Sequence, residues 1–184
     1  MLLDAYAIID KGVASAISKA EESRKVKLAC REGCSECCTT HADIPVYPLE
    51  LFAIYWYCTE KLTPSATDTL LPRLSSFGKG DQCPFLLNKS CSIHPIRPVA
   101  CRQFNVFGSP CAPGEDPYYT RRHDVMVPIQ GYVNQAFLVM LPFYGINDDL
   151  AKKEAIKNNF IHTQARSLKE HKWSGLIKAM KDSL

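Results

Sequence analysis

The chain has 184 residues, 46% of them apolar and 22% charged, with a formal net charge of +3. That balance fits one folded domain spanning 1–184, excludes a disordered chain, and is too weakly basic to propose a nucleic-acid partner. No apolar run approaches the ~20 residues of a bilayer-spanning helix, and Asp4, Asp10 and Lys11 interrupt any secretory-signal pattern, so a cytoplasmic protein without membrane contact is expected.

Leu2, Tyr6, Ile9, Val13, Ile17 and Ala20 recur at steps of three and four. This spacing predicts an amphipathic helix over 2–22, within an N-terminal helical segment 1–29. A second helix is expected to begin near Pro48 and run through the aromatic segment Leu49 to Leu62. Proline is tolerated in a first turn, and Glu50 there meets the positive end of the helix dipole. A third, Ser65 to Phe77, follows Pro64 and is expected to be interrupted at Pro72, before Gly78 and Gly80 end it.

From Cys83 to Pro128 the chain holds seven prolines, at 84, 95, 98, 110, 113, 117 and 128. Such a density excludes a long helix and argues against central strands, so something other than backbone ladders must hold this segment. Helical patterns return over 128–184: a stripe of Val133, Phe137, Met140 and Leu141, then helices over 148–160 and 164–182. Eight Lys or Arg stand against three Asp or Glu from Leu150 to Leu184. Interspersed at helical spacing, they read as a solvated face and not as a nucleic-acid surface.

The nine cysteines all lie between Cys30 and Cys111. Under reducing conditions clustered thiols point to metal ligation more than to disulfides, and an odd count leaves one thiol over in any full pairing. The first cluster reads Cys30-Arg-Glu-Gly-Cys34-Ser-Glu-Cys37-Cys38. Two cysteines two residues apart can turn both sulfurs toward one ion. Adjacent Cys37 and Cys38 point in different directions in most backbones, so either one alone is a ligand or the two serve different ions. The second cluster holds Cys83-Pro-Phe-Leu, then Cys91-Ser-Ile-His94-Pro-Ile-Arg97-Pro-Val-Ala-Cys101-Arg102-Gln-Phe104, with Cys111 beyond. Thiolates are soft ligands that select zinc, cuprous copper or iron–sulfur clusters.

These two motifs, over about residues 30–108, resemble the YkgJ-type cysteine-cluster family, described as a zinc- or iron-chelating domain. The resemblance implies metal binding by Cys34, Cys37, Cys38, Cys83, Cys91 and Cys101, and little about reaction. In that family the leading cysteine commonly stands two residues before the next, whereas three residues separate Cys30 from Cys34. Cys30 is therefore left open as a ligand, as is Cys111 beyond the shared motif.

Cys58, among Tyr55, Trp56 and Tyr57, has no ligand spacing and reads as a packed core thiol. His94 and His41 stand near the clusters, either as nitrogen ligands or as space-filling side chains. Arg97 and Arg102 could offset thiolate charge or form ordinary ion pairs. Phe85, Phe104 and Phe107 are available to shield a cluster.

The expected fold is a mostly α, single helical domain whose proline-rich irregular segment, within a cysteine-cluster region 30–111, is organised around a cysteine-ligated metal centre. The spacing lacks the paired motifs of a zinc ribbon and the compact run of a ferredoxin. Cysteines spread through a proline-rich loop favour an iron–sulfur cluster (4Fe-4S) over Zn. The expected role is redox, electron transfer or metal handling, with an unidentified protein or redox partner. Two alternatives stand beside it. One is a metal-dependent enzyme of protein modification, since some flagellin lysine methylases are similar in cysteine signature. The other is an adaptor with a purely structural zinc.

Overall fold

The computed structural model describes residues 1–41, 43–78 and 80–183. Helix α1 (Leu2–Arg24) ends where Lys25 adopts a left-handed φ of 55°. Its inner face, Tyr6, Ile9, Gly12 and Ala16, packs along α7 (Gln130–Met140), which presents Val133, Ala136, Phe137 and Met140. Gly12 permits that approach: a Cβ there would stand 2.7 Å from Tyr132 Cβ.

Helix α2 (Glu36–Thr40) is a short element that carries Cys37 and Cys38. After β1 (Pro45–Val46), helix α3 (Pro48–Glu60) starts on its proline as expected, and α4 (Pro64–Ser76) follows, capped by the Thr63 hydroxyl, which accepts from the Ala66 amide. The expected interruption at Pro72 does not occur. The helix runs through it, because Leu70 and Leu74 on either side are anchored in the core at 0% and 3% exposure. That burial outweighs one lost backbone hydrogen bond.

The proline-rich segment forms only short elements, in line with its composition. A two-residue turn with Asn88 and Lys89 at φ 48° and 61° closes the hairpin of β2 (Leu86–Leu87) and β3 (Ser90–Cys91). Positive φ at both turn positions matches the right-handed twist of a hairpin. A 3-10 turn at His94–Ile96, α5 (Val99–Gln103), α6 (Pro117–Thr120) and a second 3-10 turn at Arg122–Asp124 complete the segment.

The C-terminal part departs from expectation between 164 and 173. Helices α8 (Asp149–Lys157) and α9 (Phe160–Thr163) are followed by strand β4 (Arg166–Ser167), and α10 (Ser174–Asp182) begins only after Trp173. Strand β4 pairs antiparallel with β1, and the Leu168 amide donates to the Ile44 carbonyl at 2.8 Å. Leu168 and Trp173 are both buried, at 1% and 3% exposure. Five residues apart on a helix they would stand about 140° apart; an extended strand and a turn let both reach the core. Helix α10 closes the core against α3 and α4 through Leu176 and Met180. The chain is mostly α-helical, with two small two-stranded sheets among the described residues.

Candidate metal centre

A cavity of about 810 Å³ opens between the two cysteine segments. Cys30 and Cys34 come to it from the loop before α2, Cys37 and Cys38 from α2, Cys83 and Cys91 from the loop and hairpin after α4, and Cys101 from α5. All six cysteines of the shared motif therefore face one space, with Cys30 beside them. Cys37 and Cys38 do not diverge onto separate sites: both line the same cavity. Cys34 is exposed, Cys83 buried, and the others half-buried. Cys58 lies in the apolar core at 2% exposure and does not line the cavity. Among the described residues, no three Cys, His, Asp or Glu donors are drawn together as for a single ion.

The scaffold of the site is built from contacts that lie far apart in the chain. Arg73, on α4, donates from Nε to the Pro84 carbonyl at 3.0 Å and from Nη2 to the Cys83 carbonyl at 2.8 Å, fixing the turn that carries Cys83. Glu50 is fully buried, and its carboxylate accepts the amides of Tyr47 at 2.9 Å and Val99 at 2.7 Å. It thus caps α3 and ties down the helix that bears Cys101. The Tyr6 hydroxyl donates to Glu50 Oε1 at 3.2 Å.

Arg102 and Arg97 take different roles. Arg102 is 7% exposed, stacks over the Tyr6 ring at 3.9 Å, pairs with Asp10 at 2.8 Å and donates to the carbonyls of Pro95 and Arg97. It is a structural clamp between α1 and the second cysteine segment. Arg97 lines the cavity and donates to His94 Nε2, leaving its charge beside the sulfurs. The shielding aromatics also divide: Phe85 and Phe104 line the cavity, whereas Phe107 packs with Ala16 and Met126 in a separate small core. Sequence patterning gave no sign of Arg73 or Tyr6 as supports; Glu50 was legible only as a helix-start residue.

Electrostatics make the cavity a place for a cation. Burial, reinforced by the neighbouring thiols of Cys37, Cys38 and Cys91, pushes the Cys101 thiol well above its ordinary value. Cys37 is raised by the adjoining Cys38 thiol and then by burial. The Cys91 and Cys101 thiols resist ionisation first because they are buried and then because neighbouring thiolates would repel them, and a cation among the sulfurs offsets both costs. The donor set, seven soft sulfurs with few oxygen donors, suits zinc or iron and not magnesium or calcium.

The family model described as "putative zinc- or iron-chelating domain", CxxCxxCC, matches residues 29–124, more than half of the chain. The chain belongs to the CxxCxxCC family. The match extends beyond the 30–108 span visible in the motifs and takes in Cys111 as well as Cys30. In this CxxCxxCC protein the amide of Val106 donates to Cys30 Sγ at 3.3 Å, which holds that sulfur at the cavity. Cys111 stands close enough to Cys30 and Cys34 to feel their charge, although it is not part of the cavity wall. No curated protein and no solved structure matches the chain significantly. No helix among the described residues is long and apolar enough to cross a membrane.

Proposed function

We propose that this protein holds an iron–sulfur cluster in the cysteine cavity, with its ligands drawn from among Cys34, Cys37, Cys38, Cys83, Cys91 and Cys101, and works in electron transfer or metal handling with a protein partner. One observation carries this reading: seven cysteines line one shared cavity of about 810 Å³ and are not drawn together around a single point. A lone zinc ion would gather four sulfurs at ~2.3 Å from one point. A polynuclear cluster occupies volume and takes its thiolates from around its edges. Phe85 and Phe104 on the wall, with Arg97 beside the sulfurs, supply the apolar shielding and the charge that tune a cluster's potential. When bound, such a cluster would supply one-electron chemistry.

The cavity also favours a second reading, a metal-dependent enzyme acting on protein side chains. Tyr118 and Tyr119 join its lining and are 46% and 82% exposed, which leaves an accessible edge beside the metal site.

The test is anaerobic purification with metal and sulfide analysis. A brown protein containing iron and acid-labile sulfide is expected. A colourless protein with stoichiometric zinc, taking up no iron on anaerobic reconstitution, would overturn the cluster in favour of a zinc site.

A further inference from the structure

Three buried polar side-chain atoms have no hydrogen-bond partner among the described residues: His41 Nε2, Tyr144 Oη and Trp173 Nε1. Of these residues only His41 lines the cysteine cavity. An unpaired buried polar atom is costly, so a cavity-lining residue that carries one is the natural place for a ligand in that site to supply the missing partner.

The surroundings of His41 decide which nitrogen carries the proton. Nδ1 lies 3.4 Å from Thr40 Oγ1 and 3.7 Å from Asp116 Oδ2. The Thr40 hydroxyl already donates to the Glu36 carbonyl at 2.8 Å, so its oxygen faces Nδ1 with a lone pair. Asp116 likewise offers only acceptor oxygens, and its Oδ1 is fixed by the Tyr118 amide at 3.0 Å. With acceptors on that side alone, Nδ1 holds the proton and Nε2 presents a lone pair. The ring is held edge-on against Phe104, with centroids 4.2 Å apart and planes at 88°. A histidine whose N–H faces a carboxylate while its other nitrogen is bare matches the arrangement found behind metal-bound imidazoles.

The other four histidines lack this combination. His94 Nε2 receives Arg97, His162 Nδ1 meets the Tyr47 hydroxyl at 3.2 Å, His171 Nε2 lies 3.4 Å from the Tyr55 hydroxyl, and His123 has an 80% exposed side chain.

We propose that His41 is a nitrogen ligand, through Nε2, of the metal held in the cysteine cavity, with Asp116 and Thr40 as its positioning residues. The proposal rests on metal binding in that cavity, and its test separates the two. The anaerobically reconstituted, reduced protein is examined by pulsed electron paramagnetic resonance. The wild type and His94→Ala are expected to show a strong nitrogen hyperfine coupling, and His41→Ala to lose it. His41→Cys is expected to keep its iron, lose the coupling and shift to a lower reduction potential, because imidazole ligands raise cluster potentials relative to thiolate. A wild type without the coupling, or a His41→Ala protein that keeps it, overturns the proposal while the cluster stands. If the protein takes up zinc and no iron, zinc-edge X-ray absorption decides the same question. One nitrogen among the sulfurs in wild type, lost in His41→Ala, supports His41, and an all-sulfur shell overturns it. A protein that binds neither metal overturns both.

Discussion

The backbone amide of Cys83 donates to the carbonyl of Cys38 at 2.7 Å, so the two cysteine segments are joined main chain to main chain before any metal is considered. Side-chain substitution leaves that bond in place. Replacing Cys83, Cys91 or Cys101 by serine is therefore expected to abolish metal retention while leaving the helical circular dichroism of the chain near its wild-type value. Cys58→Ala, in the apolar core, is expected to keep its metal and lose about 1 kcal/mol of stability, read by urea denaturation. A Cys58 variant that loses its metal would place that thiol among the ligands.

Glu50 gives the fold a pH dependence of definite sign. Burial raises its carboxyl to about 7, against the downward pull of the Tyr47 and Val99 amides, the Tyr6 hydroxyl and the Arg102 charge. Between the ordinary value of 4.5 and about 7, the folded chain keeps a proton that the unfolded chain has released. Stability is then fully present below the ordinary value and falls as pH rises through that window, by at most about 3 kcal/mol. Denaturation of metal-loaded protein at about pH 5 and about pH 8 checks this slope, which Glu50→Gln is expected to remove. Glu50→Ala strands the two buried amides of Tyr47 and Val99, while the Tyr6 hydroxyl keeps the Ile96 carbonyl at 3.3 Å, and is expected to cost ~3 kcal/mol or more.

Gly12→Ala tests the seam between α1 and α7. The added methyl would meet Tyr132 Cβ at 2.7 Å, a part of that side chain that cannot swing away without moving α7. Helix propensity alone would favour alanine by about 0.5–1 kcal/mol. The expected outcome is a net loss of ~1–2 kcal/mol from overpacking, seen as a lower thermal midpoint.

Arg102→Lys separates charge from shape. Lysine preserves the attraction to Asp10 but loses the fork that reaches the Pro95 and Arg97 carbonyls and the stack on Tyr6. A loss of about 2–4 kcal/mol is expected. Asp10 has a side chain 53% exposed, so Asp10→Asn is expected to cost less than ~1 kcal/mol. An Arg102→Lys protein as stable as the wild type would mean that Arg102 acts through its charge alone.

Residues that act through local periodicity were legible before the structure. The stripe from Leu2 to Ala20, the proline start of α3 and the absence of long elements from Cys83 to Pro128 all follow from neighbours a few positions apart. Pro72 and the 164–173 stretch depart from the local rule because burial across the chain overrides it. Pro72 is carried by Leu70 and Leu74, and Leu168 is drawn into strand pairing beside Ile44.

The sequence by itself determined that this protein has helices of ordinary period and two clusters of soft sulfur donors, the second of them in a proline-rich stretch that forms only short elements. Which donors share a space was decided only by the tertiary structure. The cavity brings together residues from Cys30 to Leu168, and the tautomer of His41 depends on Asp116, 75 positions away. Spacing along a chain encodes side-chain direction within one element, whereas burial and hydrogen-bond partnership across elements exist only once the chain has closed on itself.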